Sequence, residues 1–360
     1  DAAIRILEGL GERAEVQAAL ACAYLAKRTI TGEAAWLEKA LAAGRKAAAA
    51  DPELAAVRET RGRIALLEGK PADASVEFRA SLERQPNSVE AELGLAIALE
   101  RLGRADGAEK AYQRAIEIQP GWWSTYSHLG VFRQHRGDFA GALESFREAA
   151  RLSPDNTRVY ENIGNVLQLL GRHDEAIREY ERSIAIRPTA SALSNLGTCR
   201  FYVGRYGDAA DAYGRAAALQ PENGVLWLNL GDSLRWKGEE RPVWEEAYRR
   251  AIGLLEADLA LTPRDPDVLT SLALALAFTG RSDAARQKAD EALALEPEAP
   301  DVLRSAALVY LAAGERERAL GYLESAVAHG YSVAELRHDP ELLRLKGDAR
   351  FARLTGTRPG

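Results

Sequence analysis

Apolar side chains recur along the chain with the spacing of helices, in pairs separated by short breaks. In Tyr160-x-x-Ile163-Gly164-x-x-Leu167 they fall at i, i+3, i+4 and i+7, one stripe of a helix. Gly171 breaks that helix, and Asp174 is placed to cap a second one. The second helix gathers Ala176, Tyr180 and Ser183 on one face and stops at Pro188. This two-helix unit repeats. Pro52, Pro86, Pro120, Pro154 and Pro188 follow one another at steps of 34, and the series continues at Pro221, Pro263 and Pro297. Glycines 17 residues before the prolines recur at Gly69, Gly103, Gly137, Gly171, Gly204 and Gly280. Alanines 12 residues before them recur at seven positions from Ala74 to Ala285, and Phe78, Tyr112, Phe146, Tyr180 and Tyr213 each follow such an alanine by four. A fixed period of this size predicts stacked repeats. The glycine inside the first helix (Gly62, Gly130, Gly164, Gly197, Gly231) costs about 1 kcal/mol relative to alanine. Close approach to the facing Ala176-type residue is the expected return.

Trp227-x-x-Leu230-Gly231, Ala142-x-x-x-Phe146 and Pro154 resemble the tetratricopeptide repeat over roughly 20–338. The resemblance implies an all-α solenoid, a right-handed α-α superhelix of about nine helix-pair units with a C-terminal cap. It divides the chain into divergent N-terminal helices and a first repeat (1–54), a repeat array (55–330) and capping helices with a tail (331–360). In the first unit, Arg28 to Gly32 is expected to lengthen the turn between helices. In the seventh, an insertion is expected at 239–250, with a helix that starts at Pro242, runs to Leu261 and projects beyond the stack. The divergent first unit, the long seventh and the closing Ala328-His329-Gly330 … Asp339-Pro340-Glu341-Leu342 … Ala349-Arg350-Phe351 together resemble the C-terminal region of bacterial eukaryotic-like serine/threonine kinases. No kinase motif is present in these residues.

Turning 100° per residue from Tyr160 puts Arg158, Asn162, Asn165 and Leu169 opposite the core stripe. In the tetratricopeptide repeat that side lines the concave groove. The same offsets give Ser124, His128, Val131 and His135 one unit earlier, then Ser191, Asn195, Thr198 and Tyr202, then Val225, Asn229, Asp232 and Trp236. Asn162, Asn195 and Asn229 share one slot in three successive units. A side-chain amide both donates and accepts, so a row of them suits an extended peptide backbone of any sequence. Such asparagines equally satisfy groups between adjacent helices. Tyr202 and Trp236 add rings of the kind that anchor interfaces. The expected peptide-binding set is therefore Asn162, Asn195, Asn229, Asn165, Arg158, His128, Tyr202 and Trp236. A cationic grip on a ligand's terminal carboxylate has little support, because this wall offers Arg158 and no lysine.

Composition narrows the function. The 360 residues are 47% hydrophobic and 28% charged with a net charge of −6, which disfavours both disorder and binding to a phosphate backbone. No apolar run is long enough to span a membrane and no leader pattern opens the chain, so a cytoplasmic location is expected. Methionine is absent even at position 1, which reads as a piece of a longer protein. His128 and His135 are seven residues apart, about 10 Å along a helix, and cannot share an ion. His173 has no partner pattern, and Cys199 reads as a small buried hydrophobe. No nucleophile–base constellation, metal spacing or cofactor motif emerges. The expectation is a non-catalytic module that binds a protein or peptide partner, within a larger signalling protein. The alternative is a regulatory or assembly region that docks on, or oligomerises, its own kinase or other signalling enzyme.

Overall fold

The computed structural model describes residues 2–357. It contains twenty-one α-helices, one 3-10 turn and no strand among the described residues. It divides into two compact units, Asp1–Pro154 and Asp155–Gly360. No helix among the described residues is long and apolar enough to cross a membrane.

The N-terminal unit opens with α1 (Ala2–Glu8) and continues with four antiparallel pairs: α2 (Ala14–Thr31) with α3 (Ala35–Ala50), α4 (Ala55–Leu67) with α5 (Pro71–Arg84), α6 (Val89–Arg101) with α7 (Ala105–Ile118), and α8 (Trp123–His135) with α9 (Phe139–Leu152). The C-terminal unit holds five pairs: α10 (Thr157–Leu169) with α11 (His173–Ile186), α12 (Ala190–Tyr202) with α13 (Tyr206–Leu219), α14 (Gly224–Lys237) with α15 (Arg241–Leu261), α16 (Pro266–Phe278) with α17 (Ser282–Leu295), and α18 (Pro300–Ala312) with α19 (Arg316–Ala328). Then come α20 (Val333–His338), a 3-10 turn (Leu342–Leu345) and α21 (Ala349–Thr355). These pairs are the nine units expected, eight of them closed by a proline of the series.

The first helices α4, α6, α8, α10, α12 and α16 end where the glycine series places their stops. Gly171 has φ +71°, and the amide of Arg172 closes back on the Leu167 carbonyl at 2.8 Å, a left-handed helix stop that favours glycine. Asp174 is not the cap of α11. The cap position is Arg172, and Asp174 lies in the first turn, where a negative charge suits the helix dipole.

Three expectations are corrected. The glycines inside α4, α8, α10, α12 and α14 make room for a ring, not for an alanine. A Cβ at Gly164 would stand 2.7 Å from the Tyr180 ring, and one at Gly130 2.6 Å from that of Phe146. The aromatic of the second helix thus packs flat against bare backbone, which is why an otherwise costly glycine suits that place. In the first unit, Arg28 to Thr31 continue α2 rather than widening a turn; Gly32 at φ +73° ends the helix, its amide bonded to the Arg28 carbonyl at 2.8 Å. In the seventh unit the extra length falls later than 239–250. Gly164 and Tyr180 are 16 residues apart, as are Gly197 and Tyr213, and Gly231 meets Tyr248 at 17. The surplus therefore follows the ring, and α15 reaches 21 residues against 14 in α13, ending on an exposed Leu261.

The closing segment packs against the last pairs. Leu336, Leu342, Leu345 and Phe351 join Tyr310, Leu320 and Leu323 in one buried cluster. The apolar end of the array is thereby covered, as stacked repeats require.

Candidate functional site

In the C-terminal unit the first helices turn one face toward a common cavity. Thr198, Phe201 and Tyr202 reach it from α12, and Asn229, Asp232 and Trp236 from α14. Leu274 and Phe278 come from α16, Arg304 and Leu308 from α18. Its volume is about 170 Å³, room for a side chain or a few waters. Small-molecule sites are commonly larger, at about 300–1,000 Å³.

Of the residues expected from sequence, Tyr202, Asn229 and Trp236 line this cavity together. Asn165 and Asn195 have a different engagement. The buried Tyr180 hydroxyl donates to Asn165 Oδ1 at 2.6 Å, and Asn195 Nδ2 donates to the same oxygen at 3.2 Å, tying α10, α11 and α12 together. Asn162 is half-buried on α10, and Arg158 is exposed at the start of that helix. His128 is exposed on α8 in the N-terminal unit. Cys199 is fully buried, and burial pushes its thiol up to about 12.

The slot three residues beyond the asparagines is spoken for in each of three pairs. Tyr180 bonds Asn165, the Tyr213 hydroxyl lies 2.8 Å from Thr198 Oγ1, and Tyr248 donates to Asp232 Oδ1. The second helix of each pair thus reaches through the core and holds a polar side chain of its own first helix. Asp232 is the most perturbed of them. Burial pushes its carboxyl up to about 7 against the opposing pull of Arg235 and the Tyr248 bond, with Glu341 and Asp339 adding to the rise.

The chain's own closing segment borders the cavity. Arg304 donates to Asp339 Oδ2 at 2.5 Å, Arg235 donates to Glu341, and Trp236 Nε1 donates to Glu341 Oε1 at 2.9 Å. His173, at the start of α11, is buried, stacks on Tyr202 with centroids 5.3 Å apart and meets His338 edge-on at 6.5 Å. Burial, with His338 beside it, lowers its pKa. Arg235, Arg304, Asp339, Glu341 and His173 are the site residues that sequence reasoning missed. Arg304 lies two pairs beyond the last helix covered by the offsets from Tyr160. The acid-Pro-acid stretch reads as mere capping until those arginines are placed opposite it.

The family profile described as Cilia and flagella-associated protein 70 C-terminal domain matches residues 133–338, and a tetratricopeptide repeat profile matches residues 59–121. No curated protein matches. Among solved structures, the chain is similar to the C-terminal part of a TPR repeat-containing protein from Cytophaga hutchinsonii, at 16% identity and a TM-score of 0.53, over 69% of this chain and 98% of that one. A tetratricopeptide repeat protein from Parabacteroides merdae is similar at 17% identity and a TM-score of 0.54, over 75% and 99%. The APC/C hetero-tetramer Cut9–Hcn1 is similar at 17% identity and a TM-score of 0.50, over 85% of this chain and 59% of that one. At these identities the likeness is one of fold.

Proposed function

Because the chain belongs to the tetratricopeptide-repeat family described as the Cilia and flagella-associated protein 70 C-terminal domain, we propose that it is a non-catalytic interaction scaffold whose cavity-facing wall takes an extended segment of a partner protein. The observation that carries this reading is the convergence of Tyr202, Asn229 and Trp236, from two successive first helices, on one cavity. The amide pairs with the backbone of the guest, and the rings anchor its side chains. Packing between helix pairs holds the wall in place before a guest arrives, which lowers the ordering cost of binding. Asn165 and Asn195 serve by fixing α10 against α12 rather than as contacts. In the same reading the scaffold belongs to a larger signalling protein in the cytoplasm. The support for that part is only the resemblance of the closing Ala328-His329-Gly330 … Asp339-Pro340-Glu341-Leu342 sequence to kinase C-terminal regions.

The test is affinity selection of a random peptide library on the full chain, followed by Asn229→Ala with Trp236→Ala. Selected peptides should lose at least tenfold in affinity while the circular dichroism of the chain stays unchanged. If the selection yields only peptides that bind the double variant as tightly, the wall is not the site.

A further inference from the structure

A cap for the end of a helical array needs only apolar side chains, and Leu336, Leu342 and Leu345 supply them with full burial. Between these leucines lie two acids that end capping does not require. Asp339 and Glu341 are only 3% and 7% exposed. Pro340 forces the residue before it out of the helical region, and Asp339 has φ −68° and ψ 113°, so α20 ends there. The Leu342 amide donates to the Asp339 carbonyl at 3.1 Å and the Glu341 amide to Asp339 Oδ1 at 3.0 Å, so both acids sit in one tight turn. Both carboxylates therefore reach the wall, one to Arg304 on α18, the other to Arg235 and the Trp236 indole on α14. Burying such pairs adds little net stability compared with apolar side chains of the same volume, so stability alone does not account for them.

We propose that this wall is a receptor for an acidic segment that presents two carboxylates two residues apart on a turn, and that residues 338–341 of the chain hold it shut until a partner segment of the same chemistry displaces them. The proposal rests on the reading of the wall as a binding surface and adds the chemistry of the guest. Arg235 and Arg304 give the charge complement, and Trp236 gives a directional donor to one oxygen. The latch is opposed from within. Asp232 brings a third carboxylate to the same place, with Glu341 and Asp339 both disfavouring its ionised form. Arg344 shares Glu341 from the segment's own side at 2.9 Å, so part of that acid's pairing travels with the segment. His338, at the edge of the latch, meets the buried ring of His173.

The experiment uses a fluorescent peptide of residues 332–346 and the full chain, wild type or carrying Asp339→Asn with Glu341→Gln. The double variant should bind the peptide at least tenfold more tightly than wild type, whose own segment competes. Adding Arg235→Gln and Arg304→Gln should abolish the binding, and a peptide with Asn and Gln in place of the two acids should bind at least tenfold more weakly. Equal binding of acidic and neutral peptides overturns the proposal. So does absence of binding by the double variant, whether or not trypsin gains access to Arg337 and Arg344. If the double variant loses helicity, Glu341→Gln alone carries the same comparison. Library peptides that depend on Asn229 and Trp236 but ignore Arg235 and Arg304 leave the binding wall standing and sink only the acidic preference.

Discussion

The two units solve the same packing problem with different rings. In the N-terminal unit Phe78 and Phe146 fill the space left by Gly62 and Gly130, fully buried and without a polar atom. The residue that follows Gly130 is Val131. In the C-terminal unit Tyr180, Tyr213 and Tyr248 occupy the equivalent place, and the corresponding positions are Asn165, Thr198 and Asp232, each bonded to the hydroxyl. Tyr112 departs from this division, its hydroxyl reaching Glu100 at 3.0 Å further along α6. A buried hydroxyl must find a partner. A tyrosine in the second helix therefore calls for a polar residue on the first, which is committed to its own repeat before any guest arrives. A phenylalanine makes no such demand, and it faces Val131 at Phe146 but Arg63, paired with Glu59, at Phe78.

Substitutions sharpen or break this comparison. The largest effect belongs to the arginine that holds the closing segment. Arg304→Ala leaves Asp339 buried without its partner, and denaturant unfolding should register a loss of about 3 kcal/mol in the C-terminal unit. A loss under 1 kcal/mol would mean that the carboxylate is solvated in the folded chain. Next, Phe146→Tyr transplants a hydroxyl against Val131, at a cost of about 1–3 kcal/mol for an unsatisfied buried group. Val131→Asn in the same chain should restore much of that loss, and a double-mutant cycle without coupling would break the pairing rule. Tyr180→Phe is the milder converse. Asn165 Oδ1 keeps its bond from Asn195, so the loss should be about 1 kcal/mol.

A further effect is one of pH. Asp232 has its pKa raised from 3.8 to about 7 in the folded chain. A raised carboxyl favours the folded state below its unfolded pKa and loses that contribution as pH climbs through the folded value. Stability should therefore fall between about pH 4 and pH 7 by an amount that Asp232→Asn removes. Thermal melts across that range check it; identical pH slopes in variant and wild type would contradict the assignment.

The repeat itself was legible because it rests on local rules. Glycine stops, the 3.6-residue stripe and the prolines fix nine pairs without knowledge of any distant contact. Wheel offsets likewise placed Asn229 and Trp236 on the wall. Three features lay outside such rules. Gly164 needs a ring of the facing helix, which helical periodicity cannot distinguish from a need for alanine. The surplus turns of α15 slide freely in a sequence alignment until Tyr248 is seen against Gly231. The arginine–acid pairs join residues 35 and 106 positions apart, and nothing in local spacing marks Arg304 and Asp339, or Arg235 and Glu341, as neighbours.

The most direct measurement is photocrosslinking with benzoylphenylalanine placed at Trp236, at Asn229 and, as a control, at the exposed Arg178 on the second helix α11, using peptides recovered by affinity selection. The account predicts crosslinks from positions 236 and 229 and none above background from 178. Equal yields from all three, or crosslinks confined to 178, would contradict it.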